Sequence, residues 1–294
     1  MKIVKFKGGL GNQLFQYAFL RTLELKYGIV NVKGDFSYYT DITNDGIRVP
    51  RIEKFNVKIN KADSQDLSQI LMFRHTGNPL GLGYKIGLIA EILLNRQYYF
   101  EWDRQYRNVE QLLGYDYFDG YWQSWRYWND IEDIIKKEIV LTDALSERAQ
   151  ATIDKINKEN AVFVSIRRGD YVASSRDRKH YGSFGPEYYE KAIDHIKERV
   201  SNPVFYIFSN DIPWVKQNMR FDCMAIFRDQ EEQTNDTEEL LIMSSCQHAI
   251  IANSTFSWWG AWLIENKDKI VIAPANWFAD DKPIDIIPNT WLRM

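Results

Sequence analysis

The stretch Lys2-Ile3-Val4-Lys5-Phe6-Lys7-Gly8-Gly9-Leu10-Gly11-Asn12-Gln13 decides how the rest of the chain reads. Ile3 and Phe6 alternate with lysines as in a short strand, and the strand runs into a glycine loop. Leu14 to Tyr27 then places Leu14, Tyr17, Ala18 and Leu25 on or near one helical stripe, and Gly28 suits a C-terminal cap. Ile29 to Phe36 reads as a second strand that ends at Asp35. Strand, glycine loop, helix and strand make a βαβ opening, the unit of a parallel sheet.

The same alternation starts again after a charged stretch near Asp143 to Asn160. Ala161-Val162-Phe163-Val164-Ser165-Ile166 is an apolar, β-branched run that predicts a buried strand, stopping at Arg167-Arg168-Gly169-Asp170-Tyr171. Pro186 to Val200 predicts a helix with the stripe Tyr189, Ala192, Ile193, Ile196 and Val200. Strands follow at Val204 to Phe208, Met224 to Phe227, His248 to Ala252 and Ile270 to Ala273. A helix capped by Asp236 or Thr237 runs to about Cys246, and Asn253-Ser254-Thr255-Phe256-Ser257 opens another. Two βαβ openings predict two Rossmann-like α/β domains with parallel sheets facing across a cleft. The division falls at 1–155 and 156–294, with an irregular, partly helical insert from Asn60 to Gln111 in the first.

Composition narrows the function. Hydrophobic residues are 45% and charged residues 26% of 294, which suits a soluble chain with a sizeable core. A net charge of −3 gives no electrostatic case for nucleic acid. Two cysteines, Cys223 and Cys246, cannot build a disulfide framework or a four-thiolate metal site, and read as core residues in a reducing compartment. The N-terminus lacks the apolar h-region of a secretory signal, and Ile86 to Leu94 is too short to span a bilayer. The expected location is cytoplasmic, at most peripheral at the inner face of a membrane.

Several residues carry chemistry. Strand carboxyl ends bind ligands in open α/β sheets. Arg167 and Arg168 at such an end suit a nucleoside diphosphate, because a guanidinium offers a fixed fork of donors and keeps its charge. Hydroxyls and free amides at Asn253, Ser254 and Thr255 suit the same anion at a helix start. Gly9, Gly11 and an acid at Asp35 also match two-thirds of a dinucleotide fingerprint, with Leu14 in the third glycine position. This leaves a Rossmann oxidoreductase as one alternative and a non-catalytic glycan-binding protein, suggested by 15% aromatic residues, as another. The four histidines are scattered, and no Asp-x-Asp pair is present to hold a metal-bound nucleotide sugar. No cofactor or metal is expected.

The segments Gly8 to Ala18, Gly120-Tyr121-Trp122-Gln123-Ser124, Arg167 to Tyr171, Ser209-Asn210-Asp211 and Ile250 to Trp262 together resemble the bacterial α-1,2-fucosyltransferases of glycosyltransferase family 11. The resemblance implies a GT-B fold and an inverting, metal-independent transfer of L-fucose. The implied donor is GDP-fucose, and the acceptor is the 2-hydroxyl of a galactose-containing oligosaccharide. On this mechanism Arg168 is the expected catalytic contact to the β-phosphate, Arg167 braces the strand or an acidic neighbour, and Asp170 orients the arginines. Asn253, Ser254, Thr255 and Phe256 would bind phosphate or ribose, and Glu239 the guanine. Gly11, Asn12 and Gln13 would border the donor from the other domain. Two positions depart from the family pattern: Ser165 stands where a histidine is usual, and Glu239 where Asp is frequent. Both positions help to recognise guanine in related enzymes, so another nucleotide-sugar donor is the alternative within the class.

Overall fold

The computed structural model describes residues 1–40, 49–73, 81–168, 184–229, 233–278 and 285–294. The chain forms two compact units, Met1–Thr142 with Ile284–Ile286, and Asp143–Pro283 with Ile287–Met294. The helix Glu147–Ile156, which a division after residue 155 assigns to the first unit, belongs to the second. It buries Ala149 and Ile156 completely, and it packs on the helix Asp236–Ser244 of the same unit.

The first unit holds β1 (Lys2–Lys5), α1 (Leu10–Leu25), β2 (Val32–Asp35), α2 (Ser37–Thr40), β3 (Asn60–Lys61), α3 (Ser64–Ile70), α4 (Leu82–Leu94), β4 (Tyr98–Phe100), β5 (Tyr117–Asp119) and α5 (Glu132–Glu138). Its sheet runs β3-β2-β1-β5-β4, every pairing parallel. Helix α1 starts at Leu10, earlier than its stripe suggests, because Gly9 takes the N-cap and Leu10 and Gln13 are already buried. Gly8 turns the chain with φ +83°, where a Cβ would also lie 2.6 Å from the Asn12 side chain. The insert between Asn60 and Gln111 supplies β4, the edge of the sheet, and α4, which covers it.

The second unit holds α6 (Glu147–Ile156), β6 (Asn160–Ile166), α7 (Pro186–Lys197), β7 (Pro203–Ser209), α8 (Ile212–Asn218), β8 (Ala225–Phe227), α9 (Asp236–Ser244), β9 (His248–Ile250), α10 (Thr255–Leu263), β10 (Val271–Ala273) and β11 (Leu292–Arg293). The strand order is β11-β10-β9-β6-β7-β8, again all parallel. Counted within the unit, this is the 3-2-1-4-5-6 order of a doubly wound dinucleotide fold. The order reverses between β6 and β9, so the crevice at their carboxyl ends is where such a fold binds its ligand.

Strand β6 is apolar throughout because both of its faces are covered. Val162, Val164 and Ile166 meet Tyr189, Ile193 and Ile196 of α7 on one side. On the other side Phe163 meets α10 at Gly260, where an added Cβ would lie 3.5 Å from the Phe163 ring. Gly260 lets α9 approach α10, since a Cβ there would sit 2.9 Å from that of Met243. Cys246 is buried and Cys223 half-buried, both as free thiols.

Candidate active site

A cavity of about 480 Å³ opens at the switch point of the second unit, within the size range of small-molecule sites. Ser165 and Arg167 come to its wall from the end of β6, Ser254 and Phe256 from the start of α10, and Glu239 from α9. The sheet register brings the first two groups together: Val164 pairs with Ile250, so Arg167 and Ser254 leave neighbouring strands at similar heights. The Arg167 guanidinium donates from Nη1 to Ser254 Oγ at 3.4 Å. Ser254 occupies the N-cap of α10 but makes no side-chain cap. Its hydroxyl therefore serves the cavity wall rather than the helix.

Arg168 stands differently from expectation. Its backbone N–H donates to Asn210 Oδ1 at 2.9 Å. Its guanidinium lies 3.5 Å from the ring centre of Trp214, and its Nε lies 3.9 Å from Asp211 Oδ2. Stacking on α8 and facing an acid, it is held beside the cavity, and Arg167 rather than Arg168 forms the wall. The motif Ser209-Asn210-Asp211 explains this, because Asp211 also caps α8 through Trp214 N at 3.2 Å. Asn210 and Asp211 thus hold the backbone and side chain of Arg168 from one turn.

Glu239 is fixed by residues that sequence reading passed over. Its Oε1 accepts from Arg228 Nη2 at 2.6 Å, from Thr234 N at 2.9 Å and from Thr234 Oγ1 at 3.0 Å. Arg228 is only 1% exposed. Oε1 is thereby saturated, while Oε2 makes no hydrogen bond to the described residues. The signal for Arg228 was present: it follows the apolar strand β8 as Arg167 follows β6. The helix bearing Glu239 is capped by Asn235, one residue before the expected Asp236 or Thr237, through bonds from Thr237 N and Glu238 N at 3.1 Å each.

Other expected ligand residues are spent on the scaffold. Asn253 is 3% exposed and donates to Trp277 O at 3.0 Å, and neither it nor Thr255 lines the cavity. Gly11, Asn12 and Gln13 lie in α1 of the first unit. Gln13 is fully buried, donating to Gly8 O and Val49 O at 3.2 and 3.0 Å and accepting from Ile52 N at 3.0 Å. With both amide hydrogens donated, Oε1 already accepting once and the side chain fully buried, Gln13 is held by the scaffold rather than presented to a nucleotide sugar. Asn12 Oδ1 accepts from Gln123 Nε2 at 2.9 Å, tying the glycine loop to the Gly120–Ser124 turn. Asp35 is buried and accepts from Ser37 N at 2.8 Å and from the Tyr117 hydroxyl, so it is no ribose-binding acid. Asp170 lies outside the described residues.

Behind β1 and β5 the first unit carries a buried charge cluster. Asp119 accepts from Lys5 Nζ at 3.2 Å, from Tyr98 Oη at 2.6 Å and from Lys7 Nζ. Burial pushes its carboxyl up, but Lys5 and Lys7 outweigh that and hold it well below the usual carboxylate range. Glu101 goes the other way. Burial raises its pKa, against the amides of Tyr121 and Trp122, which donate to Oε2 at 2.6 and 3.2 Å.

A doubly wound unit with a guanidinium and a hydroxyl at its switch point, and a braced carboxylate in the same cavity, defines an α/β protein suited to an anionic, nucleotide-like ligand. The profile of the family described as "Glycosyl transferase family 11" matches residues 1–292, and the chain belongs to that family: it is a glycosyltransferase. Among its relatives, the "O-antigen biosynthesis glycosyltransferase WbnK" of Escherichia coli is 30% identical over 298 residues, covering 98% of both chains. An "Alpha-1,2-colitosyltransferase" of Escherichia coli is 30% identical over 299 residues, covering 99% of this chain and 98% of its own. The "Galactoside alpha-(1,2)-fucosyltransferase 2" of Mus musculus is 29% identical over 187 residues, 62% of this chain and 52% of the mouse protein. Among solved structures, the fucosyltransferase NodZ from Bradyrhizobium superposes with a TM-score of 0.46 at 12% identity, over 88% of this chain and 90% of NodZ.

Proposed function

We propose that this glycosyltransferase moves L-fucose from GDP-fucose to the 2-hydroxyl of a galactoside, with inversion and without a metal. The observation that carries the reading is the meeting of Arg167 and Ser254 at the switch point, in one cavity with Glu239. In a single displacement at the anomeric carbon, negative charge builds on the departing diphosphate. A preorganised guanidinium stabilises that charge more in the transition state than in the ground state. Arg167 takes this role from the cavity wall, with the Ser254 hydroxyl and the free amides at the start of α10 beside it. Arg168 contributes if it swings off Trp214. The guanidinium charge stands in for the cation that metal-dependent transferases use at a diphosphate.

Glu239 would accept from the N1–H and N2–H edge of guanine through Oε2, held in place by the Arg228 and Thr234 contacts to Oε1. The guanine and fucosyl assignments also draw on the family, on the mouse relative's galactoside α-1,2-fucosyl name and on the resemblance above. The colitosyl name of one relative supports the runner-up, a transfer from a different deoxysugar donor.

Calorimetric titration without metal, first with GDP and then with UDP and ADP, tests the nucleotide. Preferential GDP binding is expected, and equal or stronger binding of UDP or ADP would reject it. Turnover of GDP-fucose with a galactoside, in the presence of a chelator, tests the sugar and the metal together. Activity only with added Mg²⁺ or Mn²⁺ would reject the metal-free mechanism.

A further inference from the structure

Helix α4 (Leu82–Leu94) is apolar nearly all round, yet only one of its sides is used. Leu88 and Ile92 pack against the cluster of Ile3, Ile70, Tyr98 and Tyr117. The one carboxylate of the helix, Glu91, faces inward and is fully buried, accepting from Phe73 N and, at 2.7 Å, from Asn95 Nδ2. Leu82, Ile86, Ile89 and Leu93 lie on the other side. At 100° per residue these four fall within an arc of about 60°. They are 74, 59, 55 and 74% exposed. Scattered exposed apolar residues are ordinary, but a contiguous stripe of four large ones marks an interaction surface. A helix with this all-round apolar character normally lies inside a protein core or in lipid.

The charge beside the stripe selects the occupant. Within residues 81–96 the exposed charges are Lys85 and Arg96, both cationic, and the only acid is the buried Glu91. Stripe-to-stripe pairing with a second copy would bring like charges together. An anionic bilayer would instead meet both cations favourably. The helix has 13 residues, against about 20 for a span, so it would lie on a membrane rather than cross it. No helix among the described residues is long and apolar enough to cross.

We propose that the outer face of α4 is a docking surface for an anionic lipid bilayer. The stripe sits at the headgroup–acyl boundary, with Lys85 and Arg96 on acidic headgroups. The test is sedimentation of the full chain with vesicles of phosphatidylcholine, with and without phosphatidylglycerol. Binding to the anionic vesicles is expected, weakening as salt rises. The double variant Ile86→Glu, Leu93→Glu should bind at least about tenfold more weakly, with its circular dichroism spectrum, melting temperature and transfer activity in solution unchanged. Lys85→Gln should cost about fivefold on anionic vesicles, the worth of one lysine near an acidic surface, and nothing on neutral ones. Failure of the unmodified protein to bind, or binding that ignores the Ile86 and Leu93 changes, would overturn the proposal. So would a dimer in light scattering that the same double variant converts to monomer, since that assigns the face to a second copy.

Discussion

Replacing Arg167 by alanine removes the guanidinium that lines the cavity. The side-chain contact to Ser254 is long, at 3.4 Å, with a neutral partner. Loss of that contact is worth about 1 kcal/mol of stability, a fall in melting temperature of about 2–4 °C. The effect on transfer is far larger. Removing one preorganised donor from a developing anion costs about 10²–10³ in kcat, or about 3–4 kcal/mol. The assay is GDP release from GDP-fucose with a galactoside acceptor, run in parallel on Arg167→Ala, Arg167→Lys and Arg168→Ala. Lysine keeps the charge but not the fork, so Arg167→Lys should recover only part of the rate. Arg168→Ala, which mainly frees Trp214 and Asp211, should lose less than Arg167→Ala. A folded Arg167→Ala enzyme within about threefold of normal turnover, beside a dead Arg168→Ala, would refute the assignment: the working guanidinium would then be Arg168.

Glu239→Gln should erase the preference for GDP over ADP in calorimetry and also lower the melting temperature, because it leaves the buried Arg228 without its counter-charge even though a carboxamide oxygen can still accept from Thr234. Arg228→Ala breaks a buried pair and strands Glu239, so a loss of about 3–5 kcal/mol in denaturant unfolding is expected, with weaker GDP binding. In the first unit, Asp119→Asn leaves Lys5 and Lys7 without their counter-charge and should lower the melting temperature by about 10 °C. The folded-state pKa of Asp119 lies below its unfolded value. Its contribution is therefore present above the ordinary carboxylate range and fades as pH falls, and the gap between Asp119→Asn and the unmodified protein should narrow in acid. Glu101 has the opposite sign. Its folded pKa is raised by burial, so it weighs on stability increasingly as pH rises past the ordinary carboxylate range. Glu101→Gln should gain melting temperature relative to the unmodified protein as pH rises past the ordinary carboxylate range, and a pH-independent difference would refute this.

What the sequence determined by itself is what local chemistry can encode. A continuous apolar, β-branched run marked β6, a 3.6-residue stripe marked α7, and β7 and the start of α10 were placed by their apolar run and capping sequence, each within a few residues. The glycine loop fixed the βαβ opening, and the strand-end arginines pointed to the β6–β9 crevice before any strand order was known. The resemblance carried by those motifs named the family. The tertiary structure decided whatever depends on partners distant in sequence. Gln13 and Asp35 looked like ligand residues until Ile52, Val49, Ser37 and Tyr117 filled their hydrogen bonds. Arg167 and Arg168 are equivalent in sequence. They differ in the fold because alternate residues leave a strand end on opposite sides, one toward Ser254 and the other toward Trp214. In sequence, Ile86 to Leu94 reads only as an apolar segment too short to span a bilayer, since periodicity reports which residues are apolar and not whether anything covers them. Among the described residues the first unit packs against one side of helix α4, through Leu88 and Ile92, and leaves Leu82, Ile86, Ile89 and Leu93 exposed.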